Sequence, residues 1–297
     1  MKKQTVIKIK EKYEKLVRFG INHGLRLTPL RKINRAIHSV LRKSTDKFKE
    51  SKVKIGNNTI YLDSNDSLGL SMNTNFEPAE TELIRKTVKE GDIVLDIGAN
   101  IGVYTVMIAE IVGEKGKVYA FEPDPTNFAI LKKNVEINGY KNVILIDKAV
   151  SSKKGKLKLF LCEENTGDHK IYDSKENRKF VEIESIRLDD YFSDYKGKID
   201  FIKMDVEGSE PGVINGASKI LTKNTHLKIV TEFYPMLIEE YGYSYEQYLK
   251  DIFKLGFSVY DIEGDKNRIQ EKSFKDLFKK INPSLGNGTN LFCVRAN

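Results

Sequence analysis

Asp96, Gly98 and Gly102 sit in one short stretch, Val94-Leu95-Asp96-Ile97-Gly98-Ala99-Asn100-Ile101-Gly102, and Glu122 follows twenty residues after Gly102. The β-branched pair Ile93-Val94 leads into the turn that carries both glycines. An apolar helix is predicted from near Ile101 through Tyr104, Met107 and Ile108, and a second apolar strand, Val118 to Phe121, ends on Glu122. Such a unit suits a nucleoside. The glycines let a ligand approach the backbone, and the strand-end carboxylate accepts both hydroxyls of a ribose. A tight strand-to-helix turn without a ligand would also use two glycines, but it would have no need of Asp96 and Glu122.

The spacing separates two classes of ligand. A dinucleotide fold uses G-x-G-x-x-G and seats a pyrophosphate on the helix N-terminus. Here the pair is Gly98-x-x-x-Gly102, with Asp96 just before it. A carboxylate there repels a pyrophosphate and suits the amino group and sulfonium of S-adenosylmethionine. D-x-G-x-x-x-G with an acid closing the next strand resembles the class I methyltransferases.

A second motif narrows the reading. Phe201-Ile202-Lys203-Met204-Asp205-Val206-Glu207-Gly208-Ser209-Glu210 is an apolar strand ending in three acids around a glycine. Ser185 to Tyr191 (SIRLDDY) precedes it, and Gly216-Ala217, Ile229-Val230-Thr231-Glu232 and Thr289-Asn290-Leu291-Phe292 follow. DIGANIG, FEPDP, LDDY, KMDVEGSE and TNLF in this order resemble the FkbM family of methyltransferases over about residues 76 to 297. The resemblance implies a Rossmann-like class I fold and transfer of a methyl group from S-adenosylmethionine, usually to a hydroxyl oxygen of a sugar or a natural product.

In open α/β sheets, ligands bind beyond the carboxyl ends of the strands. Asp96, Glu122, Asp205 and Glu232 all fall at such ends. Asp96 and Gly98 are expected to face the methionine part, with Asn100 and Gly102 completing the cofactor loop. Glu122 takes the ribose, and Ala149 and Val150 lie against adenine. Asp124 and Asn127 are expected to start the next helix, since Asp-Pro-Thr-Asn is a capping sequence. Methyl transfer to oxygen needs a base near the acceptor. The candidates are Asp205, Glu207 and His169, with Asp205 favoured by its strand-end position. Glu210 is read equally as a helix cap and as a site acid. Asp205 and its neighbouring acids offer oxygen ligands that suit magnesium, but the expectation is a reaction without a metal.

These residues need a sheet to hold them. From Ile93 onward strands and helices alternate, which predicts a mostly parallel sheet covered on both faces. The expected strands are 93–97, 117–121, 143–147, 200–204, 227–232, 257–262 and 289–295, with the last two antiparallel as the resemblance implies. This is an α/β, Rossmann-like, seven-stranded architecture. Residues 156–161 and 179–187 read as an inserted hairpin, and a helix is expected from Pro78 to Glu90. Residues 163–178, 233–243 and 264–288 are polar and are expected to form the acceptor pocket.

The 297 residues divide into a basic helical extension (1–50), a β-hairpin lead-in (51–75) and the main domain (76–297). The net charge of +8 is uneven. Residues 1–50 hold fifteen Lys or Arg against four Asp or Glu, a local +11. Two amphipathic helices are expected there, broken at Gly20, Gly24 and Pro29. They pack on the main domain, or dock on an anionic membrane surface or a partner protein; nucleic acid is the weaker reading. Cys162 and Cys293 form no C-x-x-C pair and the four histidines are scattered, so neither a disulfide framework nor a zinc site is indicated. No run is long and apolar enough to span a membrane, and a cytoplasmic enzyme is expected, free or membrane-peripheral. Three functions compete: O-methylation of a saccharide, glycoconjugate or related natural product; methylation of RNA or protein; and a non-catalytic module that binds the cofactor and recruits a partner.

Overall fold

A computed structural model describes residues 12, 49–263, 268–273, 276–277 and 288–295; of residue 263 and residues 268–271 only the backbone is described. Most of the basic extension, and most of the stretch 264–288 expected to line the acceptor pocket, lie outside the described residues.

Eight strands form the central sheet. In chain order they are β3 (Ile93–Ile97), β4 (Lys117–Phe121), β5 (Val143–Ile146), β9 (Phe201–Met204), β10 (Lys228–Phe233), β11 (Phe257–Glu263), β12 (Arg268–Lys272) and β13 (Thr289–Arg295). Their spatial order is β12-β11-β13-β10-β9-β3-β4-β5. β10, β9, β3, β4 and β5 run parallel. β13 inserts antiparallel between β10 and β11. The seven expected strands are all present, and β12 adds an eighth at the edge, paired antiparallel to β11. Its sequence, RIQEK, is short and charged, the composition of a protected edge strand.

Strand alternation sorts the core into two layers. Leu95, Ile97, Tyr119, Phe121, Ile202 and Met204 pack on one face, with helices α5 (Glu210–Gly216), α6 (Ser218–Lys223), α7 (Pro235–Glu240) and α8 (Tyr245–Lys254) nearby. Val94, Val118 and Phe201 point to the opposite face, against α1 (Pro78–Thr87) and α2 (Val103–Val112). α2 (VYTVMIAEIV) is apolar nearly all round and almost wholly buried, as expected of a helix enclosed by other elements. α1 ends at Thr87, three residues earlier than expected, with its last turn closed by the Val88 amide donating to Ile84 O.

The lead-in is part of the same core. β1 (Lys52–Ile55) and β2 (Asn58–Tyr61) pair around Gly56-Asn57. Val53, Ile60 and Leu70 pack with Ile101, Val106, Ala120 and Leu131. Asn134 of α3 (Pro125–Ile137) fixes β2, accepting from Tyr61 N and donating to Tyr61 O.

The inserted hairpin forms as β7 (Gly155–Phe160) and β8 (Phe180–Ile186), antiparallel in register. A short strand, β6 (Ala149–Val150), extends it in parallel, and α4 (Leu188–Tyr191) follows. Residues 161–179 thereby leave this small sheet as a loop that reaches back toward the carboxyl ends of β3, β4 and β9.

Candidate active site

The loop after β3 is shaped by a backbone crossing. Gly98 has φ +78°, and a Cβ there would stand 1.8 Å from the carbonyl oxygen of Asp205. Its amide and that of Ala99 both donate to Phe121 O. Gly98 therefore serves first to let the β9 turn approach, where the sequence reading gave it to the ligand. Gly102 stands behind the loop, where a Cβ would meet Leu131 Cδ1 at 2.5 Å.

Beyond these turns opens a cleft of about 840 Å³, counting its solvent-filled mouth. Gly98, Asn100, Glu122, Ala149 and Val150 line it on one side; Lys203, Asp205 and Glu207 line it on the other. Thr166, Gly167, His169 and Ile171 of the inserted loop form part of the wall. The Thr166 amide donates to Ser67 Oγ at 3.0 Å, and Asn127 Nδ2 donates to Thr166 O at 2.9 Å.

Asp96 and Gly102 are not in this wall. Ile97 faces the cleft, so strand alternation turns Asp96 to the α2 face. Asp96 is fully buried there, with Oδ2 accepting from Thr105 Oγ1 at 2.5 Å and Oδ1 without a partner among the described residues. Burial raises its pKa, opposed by the nearby Lys203 ammonium. The carboxylate expected beside the methionine part is thus one layer behind it.

Glu122 does border the cleft. Its Oε2 accepts from Asn100 N at 2.7 Å and its Oε1 from Asp124 N at 2.9 Å. Burial pushes its pKa up to about 8, although both amides favour the anion. Each oxygen keeps a second lone pair, which is what a ribose diol would use. Asp124 caps α3, accepting from Thr126 N and Asn127 N. Asn127 is 2% exposed, borders the cleft, and leaves Oδ1 without a partner among the described residues.

Across the cleft the acids are held differently. Lys203 is buried, and its Nζ donates to Asp205 Oδ2 at 3.0 Å and lies 4.9 Å from the Tyr104 ring centroid. Burial alone would depress this ammonium; Asp205, Asp96, Glu80 and Glu77 more than offset it and hold it charged. Tyr104 Oη donates to Glu77 Oε2 at 2.7 Å, and Asn290 Nδ2 donates to Glu80 Oε2 at 2.5 Å. Burial, then the neighbouring Glu77, pushes Glu80 up to about 8. Glu207 has φ +54°, a left-handed backbone uncommon outside glycine, and its carbonyl accepts from Tyr172 Oη at 2.9 Å. One carboxylate oxygen each from Asp205, Glu207 and Glu232 lies within 4.8 Å of the others. Burial, then the charge on Asp205, raises both Glu207 and Glu232 well above the ordinary carboxylate range. Glu210 Oε1 accepts from Val206 N and Gly208 N, so it ties the turn that carries Glu207, and burial pushes it up to about 7.

His169 borders the cleft, but its Nδ1 accepts from Cys162 N at 3.0 Å and its Nε2 stands 3.9 Å from Asp124 Oδ2. Burial lowers its pKa, against the pull of Asp124. A neutral imidazole has one acceptor nitrogen, and here the Cys162 amide occupies it.

Sequence reasoning missed Lys203, Tyr104, Glu77, Glu80 and Asn127 as parts of the site. Lys203 carried a legible signal: one lysine in the apolar strand FIKM, two residues before Asp205 and so on its face. Glu77 and Glu80 carried none, since an acid in a first helical turn is ordinary.

A family model, methyltransferase FkbM domain, matches residues 96–259. A model for protein-L-isoaspartate(D-aspartate) O-methyltransferase matches residues 11–149. The chain is 41% identical over 59 residues to protein-L-isoaspartate O-methyltransferase 1 of Archaeoglobus fulgidus, covering 20% of this chain and 27% of that protein. It is 26% identical over 157 residues to methyltransferase sdnD of Sordaria araneosa, covering 42% of this chain and 60% of that one. The chain thus spans less than two thirds of the length of these relatives. A solved S-adenosylmethionine-dependent methyltransferase from Aquifex aeolicus is 18% identical, with 78% of this chain and 98% of that one covered and a TM-score of 0.42. With more than half of its residues matched by the FkbM model, the chain belongs to the FkbM methyltransferase family.

Proposed function

We propose that this chain transfers a methyl group from S-adenosylmethionine to a hydroxyl oxygen of a saccharide, a glycoconjugate or a related natural product. The observation that carries the reading is one cleft with two unlike walls: Glu122 and Asn127 on one side, Asp205 and Glu207 on the other. The residues present fit the cofactor. Asn127 Oδ1 is a buried acceptor without a donor, and the second lone pairs of Glu122 suit hydroxyl donors. Bound S-adenosylmethionine supplies a methyl group made electrophilic by its sulfonium.

Glu122, Asn100 and Asn127 hold the nucleoside end, and Ala149 and Val150 contribute apolar surface beside it. The acids on the far wall favour a cation in the cleft. Asp205 is the base: Lys203 fixes its Oδ2, which leaves Oδ1 to take the proton of the acceptor hydroxyl. General-base assistance of this kind contributes roughly 10²–10⁴ in rate. Glu207 is the second candidate, and His169 drops behind both because its acceptor nitrogen is engaged. The Ser67 and Asn127 contacts to Thr166 hold the inserted loop where it screens the cleft from water.

The match of residues 11–149 to the isoaspartate O-methyltransferase model supports a second reading, with a protein carboxyl group as acceptor. Isotope-labelled methyl transfer into cell extract, fractionated into glycans, lipids, small molecules, RNA and protein, tests both. Label in the glycan, glycolipid or small-molecule fractions is the expected result. Label confined to protein or RNA would replace the acceptor class. Residues 1–50, with their local +11 charge, are assigned by the same proposal to an anionic membrane surface or a partner protein.

A further inference from the structure

We propose that Asp205, Glu207 and Glu232 form a binding site for a hard divalent cation, magnesium or manganese, beside the cleft. One oxygen from each carboxylate lies within 4.8 Å of the other two. Ligands on opposite sides of such an ion stand about 4–5 Å apart, twice a metal–oxygen distance of about 2.0–2.5 Å. An all-oxygen set selects magnesium, manganese or calcium over zinc or copper.

The cluster differs from a solvated acidic patch. Glu232 Oε2 is sealed from solvent and has no hydrogen-bond partner among the described residues. Glu210, outside the trio, is 1% exposed; its Oε2 is likewise unpartnered, and its charge acts on Asp205, Glu207 and Glu232. Sealed carboxylate oxygens without donors are costly unless a proton or a cation meets them. Lys203 meets the cluster at Asp205 Oδ2, and its charge and that of Lys170 reach Glu232 and Glu207 only from beyond pairing distance. Among the described residues no lysine or arginine pairs with Glu207 or Glu232. Glu207 reaches the cluster from a left-handed backbone position, a strain that persists where the surroundings over-determine it.

The binding itself stands apart from the proposed methyl transfer. A further role, in which the ion takes Asp205 Oδ1 and holds the acceptor oxygen in its place, rests on that reading. This departs from the expectation, drawn from sequence, of a reaction without a metal.

The test is titration of full-length protein, freed of metal by chelation, with manganese chloride, read by electron paramagnetic resonance and by calorimetry. One manganese per chain is expected, displaced by magnesium chloride. Glu232→Gln and Glu207→Gln, each checked for an unchanged circular-dichroism spectrum, should each weaken binding at least tenfold. Glu184→Gln, an exposed acid on the small sheet, should leave it unchanged. Absence of saturable manganese binding by the parent would overturn the proposal. So would binding that survives both Glu232→Gln and Glu207→Gln. Label transfer with no manganese site would leave the methyltransferase reading standing alone; a manganese site with no label transfer would leave the cation site standing alone.

Discussion

The two walls of the cleft use carboxylates in opposite ways. On the β4 side, Glu122 and Asp124 spend their oxygens on backbone amides: Asn100 N, Asp124 N, Thr126 N and Asn127 N. Both acids build the loop, and Glu122 also borders the cleft. On the β9–β10 side, Asp205 meets one ammonium, and beside it Glu232 Oε2 meets no hydrogen-bond partner among the described residues. A carboxylate bonded to amides is preorganised and loses little by staying in place. A buried carboxylate without donors is stored cost, relieved by a proton or by an incoming cation. Under the proposed function the first wall is architecture that also binds, and the second is kept for ligand and chemistry.

Substitutions can break that contrast. The largest effect is expected at Gly98, where the two walls touch. Gly98→Val drives a side chain into the Asp205 carbonyl and imposes a positive φ on a β-branched residue. Overpacking and backbone strain together should cost about 3–5 kcal/mol, read as a lower midpoint in urea unfolding. A midpoint within error of the parent would mean that the approach of the two turns is not as described.

Asp205→Asn keeps the shape of the second wall and removes its charge. Single-turnover methyl transfer should fall roughly 10²–10⁴-fold, with cofactor affinity kept. A surviving rate, together with a loss in Glu207→Gln, would move the base one turn along. On the first wall, Glu122→Ala removes the acceptor and frees the Asn100 and Asp124 amides. Measured above pH 8, where Glu122 is ionised, cofactor binding should weaken by about 1.5–3 kcal/mol, the range for hydrogen bonds to a charged group.

A smaller effect appears in the pH dependence of stability. Glu80 and Glu122 are pushed up to about 8 and Glu210 to about 7, each chiefly by burial. Unfolded glutamates ionise near pH 4.3. Between that value and about pH 8 the folded chain keeps protons that the unfolded chain releases. Stability without ligand should then fall as pH rises through this window and level off above it. Thermal melts from pH 5 to 9 would show it, and Glu80→Gln should flatten part of the slope. A melting temperature that rises steadily from pH 5 to 8 would contradict the burial of these acids. At the small end stands Glu184→Gln, which breaks an exposed pair with Lys148 and should leave the melting temperature unchanged.

The sheet was legible because strands buried on both faces read as apolar runs, and seven of them did. β12 was not, because RIQEK lacks any such run. Glu122, Asp205 and Glu207 were legible as strand-end or turn acids. Asp96 shows the limit of position alone. It sits in the same strand as cleft-lining Ile97, and a one-residue offset turns it to the other face. The network of Lys203, Tyr104, Glu77 and Glu80 joins β9 to two helices far away in sequence, so no local pattern announces it. His169 was placed in the right loop, but its engaged nitrogen depends on the Cys162 amide, which only the folded loop reveals.

The contrast between the walls rests most directly on calorimetric titration of S-adenosylmethionine into the parent, Glu122→Ala and Asp205→Asn, each confirmed folded by its melting curve. One site per chain is predicted in the parent, at least tenfold weaker in Glu122→Ala and within about twofold of the parent in Asp205→Asn. No binding by the parent, or weakening in Asp205→Asn with Glu122→Ala unchanged, would contradict the account.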